Sequence, residues 1–273
     1  MTLTNYPNVI QGSDEWFDQR RGIVTASVVS GLIRVGRRTA IDFDCPDCGA
    51  VALAPCQSKR NQAPIKTLHP ERAEVARNDR TVIIEPASNE SSRGLTMLLA
   101  AERITDYTEP TYVSDDMWKG HEDEPLAREA YSEHYAQVTE TGLMVRDDWG
   151  FKIGCSPDGL VGDHGIIEIK VRRQKKHLKT ILADAVPPEN MAQCQAALLA
   201  SGREWLDYVS FCGGMPLWRK RVYPQQVWFD AILSAVRAFE DNAAEIMRLY
   251  DEAVDGLPMT ERNPMLTGEL KLT

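Results

Sequence analysis

Between Gly154 and Lys170 the chain reads GCSPDGLVGDHGIIEIK, and here residue types and spacing suit phosphodiester hydrolysis. Cys155 to Asp158 has the character of a strand end, Gly159 to Gly165 is a glycine-rich turn, and Ile166 to Val171 is a β-branched strand, so the segment predicts a hairpin. Side chains alternate across a strand, which puts Glu168 and Lys170 on one face and Ile167, Ile169 and Val171 on the other, with Asp158 returning beside them. Two carboxylates and an ammonium offer hard oxygen ligands for Mg²⁺ and a positive group beside the attacking water. The triplet Glu168-Ile169-Lys170 also suits the wet face of an ordinary strand. Ser156-Pro157-Asp158-Gly159 just ahead of it favours the chemical reading.

A chain of 273 residues suits one large α/β domain, with or without a small insertion. Hydrophobic content of 43% and charged content of 26% are ordinary for a globular protein, and no apolar run reaches the ~20 residues that cross a bilayer. The opening MTLTNYPNVIQGSDEW has neither a basic n-region nor an apolar h-region, so a reducing cytoplasm is expected and the six cysteines are expected as thiols or metal ligands. A net charge of −9 argues against a surface coated in cations. A polyanion such as DNA would then be met by a local basic track, for which Lys170 to Lys179 (KVRRQKKHLK) is the candidate; a solvated helix face is the alternative.

A second constellation is Cys45-x2-Cys48-x7-Cys56-x12-His69, four soft or borderline ligands in one polar segment that suit tetrahedral Zn²⁺. Too few apolar residues accompany them for the segment to fold without metal. Lys59, Arg60, Lys66 and Arg72 would make the module a DNA- or partner-touching appendage, while an iron–sulfur cluster is disfavoured because only three cysteines are clustered.

The positioning elements follow from periodicity and punctuation. Trp16 to Ser27 predicts a short helix, a turn at Gly22, and a second helix capped at Thr25 or Ser27 and running towards Val35. Val82 to Asn89 reads as a short strand or linker, and Ser91 or Ser92 caps a helix to Tyr107 with Leu95, Leu98, Leu99 and Ile104 as its apolar face. A further helix from about Asp115 to Tyr135 carries Gly120, Glu124 and Arg128 on one face, Gly120 leaving room near a metal, with Glu122 and Glu129 on the surface. Val138 to Val145 and Phe151 to Cys155 predict antiparallel strands. Pro187-Pro188 precede a helix from Glu189 to Ser201 that stops at Gly202. Trp205 to Cys212 and Leu217 to Val222 form a strand pair, and an amphipathic helix from Gln225 to about Ala253, with Trp228, Ile232, Val236, Phe239, Ile246 and Leu249 inward, covers the sheet. The last ten or so residues are expected to fray.

The SPDG-turn-ExK spacing resembles the PD-(D/E)xK nuclease core, and more closely the lambda exonuclease or YqaJ group of viral recombination exonucleases. This resemblance, over most of residues 14 to 222, implies a restriction-endonuclease-like α/β core with a mixed central sheet flanked by helices. The nuclease domain would be residues 1–41 and 73–273, with the zinc module 42–72 inserted. It also implies roles. Glu124, in a G-x3-E-x2-AR pattern, joins Asp158 and Glu168 in holding one or two Mg²⁺ or Mn²⁺, with the Ile169 carbonyl as an extra ligand. Lys170 and Gln193, the latter in an M-A-Q-x-Q segment, orient or activate the attacking water; Arg20, Ser27 and Ser156 grip a 5′-phosphate. Taken alone, Arg20 and Ser27 also fit a plain capped helix, Ser156 fits turn chemistry, and Glu124 and Gln193 fit a helix surface. One departure is Val171-Arg172, where many relatives have Cys-Pro after the lysine. The implied activity is metal-dependent 5′→3′ digestion of linear duplex DNA to leave 3′ single strands, by a trimeric ring working with a recombination or annealing protein, in a phage or prophage setting within the bacterial cytoplasm. An endonuclease or Cas4-like processing enzyme of the same core, and a non-catalytic zinc-dependent DNA adaptor, are the rivals.

Overall fold

Asp158 and Glu168 stand where two mixed four-stranded sheets approach each other in the computed structural model, which describes residues 2–110 and 114–262. In chain order the elements are β1 (Leu3–Tyr6), α1 (Asp14–Arg20), β2 (Val24–Thr25), β3 (Ile33–Arg37), α2 (Pro70–Asn78), β4 (Val82–Pro86), α3 (Glu90–Thr105), α4 (Asp115–His134) and β5 (Leu143–Arg146). There follow β6 (Ile153–Cys155), β7 (Gly159–Val161), β8 (Gly165–Val171), α5 (Gln174–Ala183), α6 (Pro188–Ser201), β9 (Trp205–Phe211), β10 (Trp218–Val222) and α7 (Gln226–Ala253). The expected mixed α/β architecture is present, its sheet divided into β1-β5-β6-β2 and β10-β9-β8-β7. Ser156 to Asp158 carry the chain from one to the other.

β8 pairs parallel with β9 and is packed on both faces, which is why GIIEIKV reads as a nearly continuous apolar run. Ile166 joins the main core with α6 and α7, whereas Ile167 and Ile169 pack against Ala127 and Tyr131 of α4 and Val209 of β9. Only Glu168 and Lys170 are polar within this strand. The expected hairpin is present but tighter: Gly159–Val161 is itself a strand, so the turn shrinks to residues 162–164.

Several expectations are corrected. After Gly22 there is no second helix; Val24–Thr25 forms a strand, Val29–Leu32 a 3₁₀ turn, and β3 follows, because clustered β-branched residues and Gly31 and Gly36 disfavour a helix. Gly22 has φ +64°, and a Cβ there would meet Arg103 Cγ at 2.4 Å, so the turn needs glycine where α3 crosses. Asn89, not a serine, caps α3, with Ser92 completing the capping box. The strand expected from Val138 begins at Leu143. Leu98 and Leu249 are exposed, and α7 packs on α3, α6 and β4 rather than on the central sheet. The expected fraying falls on the last residues, outside the described ones.

β3 and β4 form an antiparallel ribbon, from Ile33 opposite Pro86 to Arg37 opposite Val82, which carries the cysteine-rich segment at its tip. α4 is fixed from its other end. Asp207 of β9, fully buried, accepts from Tyr131 Oη (2.6 Å), Arg221 Nε (2.8 Å) and Arg219 Nη1 (3.2 Å). Removing a buried, paired charge strands its partners. Asp207→Ala is therefore expected to lower the free energy of urea unfolding by about 2 kcal/mol or more, a figure reduced because the arginines are one-third exposed; a loss below about 0.5 kcal/mol contradicts this role for Asp207.

Candidate active site and zinc centre

Asp158 is locked beside β8 by the backbone of that strand. Its N–H donates to Ile167 O (3.1 Å), and its Oδ2 accepts from Ile169 N (2.5 Å). Glu168 projects towards α6, where its Oε1 accepts from Gln193 Nε2 (2.6 Å) and Lys170 Nζ (2.5 Å). Glu124 arrives from α4, held by Arg128 Nη2 at 2.6 Å. Arg128 also donates from Nε to Asp158 O (2.8 Å), so one guanidinium ties the helix acid to the crossing that bears Asp158.

Beside these acids lies a second set of groups. The Arg20 guanidinium stacks over the Trp16 ring at 4.0 Å and donates from Nη2 to Thr25 Oγ1 (3.1 Å) and Ser27 Oγ (3.3 Å). Trp16 Nε1 donates to Ser156 Oγ (2.9 Å), which ties α1 to the crossing. All nine expected residues, Arg20, Ser27, Glu124, Ser156, Asp158, Glu168, Ile169, Lys170 and Gln193, line one cavity of about 350 Å³.

The electrostatics of this cavity are those of an anion cluster. Burial, then the charges of Glu168 and Glu124, push the Asp158 carboxyl well above its usual range. Burial raises Glu124 as well, with Arg128 opposing and Glu168 adding to the rise. For Lys170 burial disfavours the charge, but Glu168 and Asp158 outweigh it and keep the group an ammonium. Cys155 behind the site is pushed up to about 12 by burial and Glu168, so it is an unreactive thiol. An all-oxygen donor set with mutually repelling carboxylates fits a hard divalent cation.

Sequence reasoning missed three residues here. Trp16 stands one helical turn before Arg20, a spacing that signals a shared face. Thr25 bonds Arg20 and lies 3.0 Å from Ser27 Oγ. Arg128 was legible only as a member of the G-x3-E-x2-AR pattern. A Cβ at Gly120 would meet nothing within 4 Å, so no close approach within the chain demands glycine there. Gln195, by contrast, is fully buried and structural, bonding Tyr223 O and Gln225 N.

The expected ligand atoms of Cys45, Cys48, Cys56 and His69 lie within 4.8 Å of one another. Each sulfur meets a different environment. Burial raises Cys45. The Gln57 N–H lowers Cys48, and for Cys56 burial pushes up while the His69 N–H and the Arg72 guanidinium prevail and bring it down. Arg72 itself is corrected from a DNA-facing residue to a fully buried one. Its guanidinium donates to the carbonyls of Phe43 (2.7 Å), Ala54 (2.7 Å), Val51 (2.9 Å) and Ile41 (3.1 Å), and Nη1 lies 3.5 Å from Cys56 Sγ. Lys59, Arg60 and Lys66 remain exposed.

Compared with known protein families, residues 80–204 match the YqaJ-like viral recombinase domain, and residues 11–88 match a phage zinc-finger DNA-binding domain. With the Cys₃His cluster, the second match supports a bound zinc ion. No curated protein matches the chain in sequence. Among solved structures, the alkaline exonuclease LHK-Exo from Laribacter hongkongensis is 25% identical, with a TM-score of 0.64, over 90% of this chain and 100% of its own. Its complex with dAMP gives the same identity and coverage, with a TM-score of 0.65.

Of the carbonyls bonded to Arg72, Ile41 O and Val51 O keep backbone donors in Leu53 N (2.7 Å) and Ala54 N (3.1 Å), whereas those of Phe43 and Ala54 lose the guanidinium, and an unsatisfied buried group costs about 1–3 kcal/mol. Arg72→Met is expected to lower unfolding free energy by about 3 kcal/mol or more and to speed zinc loss to a colorimetric chelator. Wild-type stability and chelation kinetics in that variant contradict the assignment.

Proposed function

We propose that the chain is a phage-type, metal-dependent 5′→3′ exonuclease that digests linear duplex DNA from a phosphorylated end and leaves a 3′ single strand for recombination. The observation carrying this reading is the meeting of three acids, one ammonium, one amide and a cationic pocket in a single cavity. The YqaJ family and the likeness to an alkaline exonuclease support it. In the same reading residues 1–41 and 73–273 form the nuclease domain and 42–72 the zinc insertion. α2, which starts immediately after His69, runs on to Asn78 and packs with that module through Arg72. The trimeric ring, the annealing partner and the phage setting in a bacterial cytoplasm rest on family resemblance.

Glu124, Asp158 and Glu168 would hold Mg²⁺ or Mn²⁺, with the Ile169 carbonyl available as a further oxygen. Such an ion supplies Lewis-acid stabilisation of charge on the phosphate and lowers the pKa of bound water. Lys170, an ammonium paired with Glu168 in the metal-free site, would serve as an electrostatic partner for the attacking oxygen and for the charge that develops on the phosphate. Gln193, fixed 2.6 Å from the same Glu168 oxygen, orients the water. Arg20, Ser27 and Ser156, with Thr25, offer a guanidinium and hydroxyls to a terminal phosphate.

Digestion of 5′-phosphorylated linear duplex with Mg²⁺ is expected for wild type, with closed-circular duplex resistant and Asp158→Ala at least ~10³-fold slower while still folded. Cleavage of circles supports an endonuclease instead, and undiminished activity in Asp158→Ala removes the nuclease assignment. Arg20→Ala is expected to narrow the rate difference between 5′-phosphorylated and 5′-hydroxyl ends.

pH dependence follows from the raised carboxyls. Between the ordinary aspartate value of about 4 and the raised native value of Asp158, the metal-free fold binds an extra proton and loses stability as pH increases. A cation competes with that proton. The thermal stabilisation given by Mn²⁺ should therefore grow from about pH 5 to about pH 8; a constant or shrinking effect contradicts the site.

A further inference from the structure

A second cavity, of about 480 Å³, lies between the start of α4 and the exit of β8. Its walls are Asp116, Met117 and Lys119 on one side and Val171, Arg172, Arg173, Lys175, Lys176 and Lys179 on the other. Met117 also lines the active-site cavity, and Lys170 precedes Val171 in β8, so the two spaces adjoin. In a chain of net charge −9, this is a marked local excess of cations.

The groove is also held in shape. α5 is pinned by its buried His177, whose Nδ1 shares a hydrogen bond with Ser210 Oγ (2.8 Å) and whose Nε2 donates to Pro216 O (2.9 Å). Lys175, Lys176 and Lys179 then point outward, exposed, and among the described residues no ion pair engages them. Arg172 donates from Nη2 to Asn190 Oδ1 (2.6 Å) and Tyr208 Oη (2.9 Å), which sets its guanidinium at the inner end, beside the catalytic strand. The departure at Val171-Arg172 thus has a structural counterpart. Across the groove, Arg173 Nε donates to Asp116 Oδ1 (2.6 Å), an exposed pair in which Asp116 is the one acid on the lining.

We propose that this groove binds the phosphodiester backbone of DNA flanking the phosphate that reacts, with Arg172 and Arg173 nearest the active site, Lys175, Lys176 and Lys179 farther out, and Asp116 as an internal competitor that DNA displaces. The proposal rests on the exonuclease reading only in taking DNA as the polyanion. Spaced cations with a single acid among them fit a repeated phosphate better than a compact anion, and each contact releases counterions.

The test is fluorescence anisotropy of the full zinc-loaded chain on a labelled duplex in Ca²⁺, with salt varied and no turnover required. Lys175→Gln/Lys176→Gln/Lys179→Gln is expected to reduce the slope of log affinity against log salt by about 2.7, three contacts at ~0.9 each. Asp116→Asn is expected to tighten binding. All four positions are exposed, so thermal unfolding should stay at wild type; if the triple variant unfolds, Lys176→Gln and Lys179→Gln singly should each reduce the slope by about 0.9. An unchanged slope overturns the proposal. So does weaker binding in Asp116→Asn, or capture of a polyglutamate peptide with no effect of these variants on DNA. A wild type that binds with the expected slope but never cleaves sinks the exonuclease reading and leaves the groove standing.

Discussion

Three carboxylates share one cavity, and their mutual repulsion is the constraint around which the fold is arranged. Left alone, such acids would take up protons or move apart. Here each is restrained by its own donors. Ile169 N holds Asp158 from the strand, Gln193 and Lys170 hold Glu168 from α6 and β8, and Arg128 holds Glu124 from within its own helix. Those restraints are only as good as the packing behind them, which explains why β8 is buried on both faces and why α4 is tied to β9 through Tyr131 and Asp207. An arrangement held against its own repulsion is preorganised for a cation.

The zinc module obeys a related rule with opposite charges. Three thiolates and a neutral histidine around Zn²⁺ leave one net negative charge, and Arg72 brings a buried cation to Cys56 while its other donors gather carbonyls from four loop positions. One side chain thus supplies both charge balance and much of the module's hydrogen bonding. A segment with so small a core, Cys45, Ala50 and Cys56 with few apolar neighbours, has few other means of holding its loops.

Much of the catalytic strand was legible because its chemistry is local: Asp158, Glu168 and Lys170 lie within thirteen positions of one another, and alternation fixes their faces. The zinc ligands were legible through spacing alone. Roles that depend on distant elements were not. Nothing near Arg72 announces burial, since the four carbonyls it meets come from residues 41 to 54. Trp16 meets Ser156 across 140 positions, a contact that only the parallel pairing of β2 with β6 brings about. No helix follows Gly22 because the β-branched residues around Thr25 and Ser27 outweigh their hydroxyl cap signal.

Whether the three acids form one divalent-cation site is decided by anomalous diffraction from crystals soaked in Mn²⁺. The expected result is a peak bonded at about 2.0–2.3 Å to oxygens of Asp158 and Glu168, with Glu124 in reach directly or through water, and Lys170 released from Glu168. A fully occupied Mn²⁺ elsewhere, with the Lys170–Glu168 pair intact and the cavity holding only water, would contradict it.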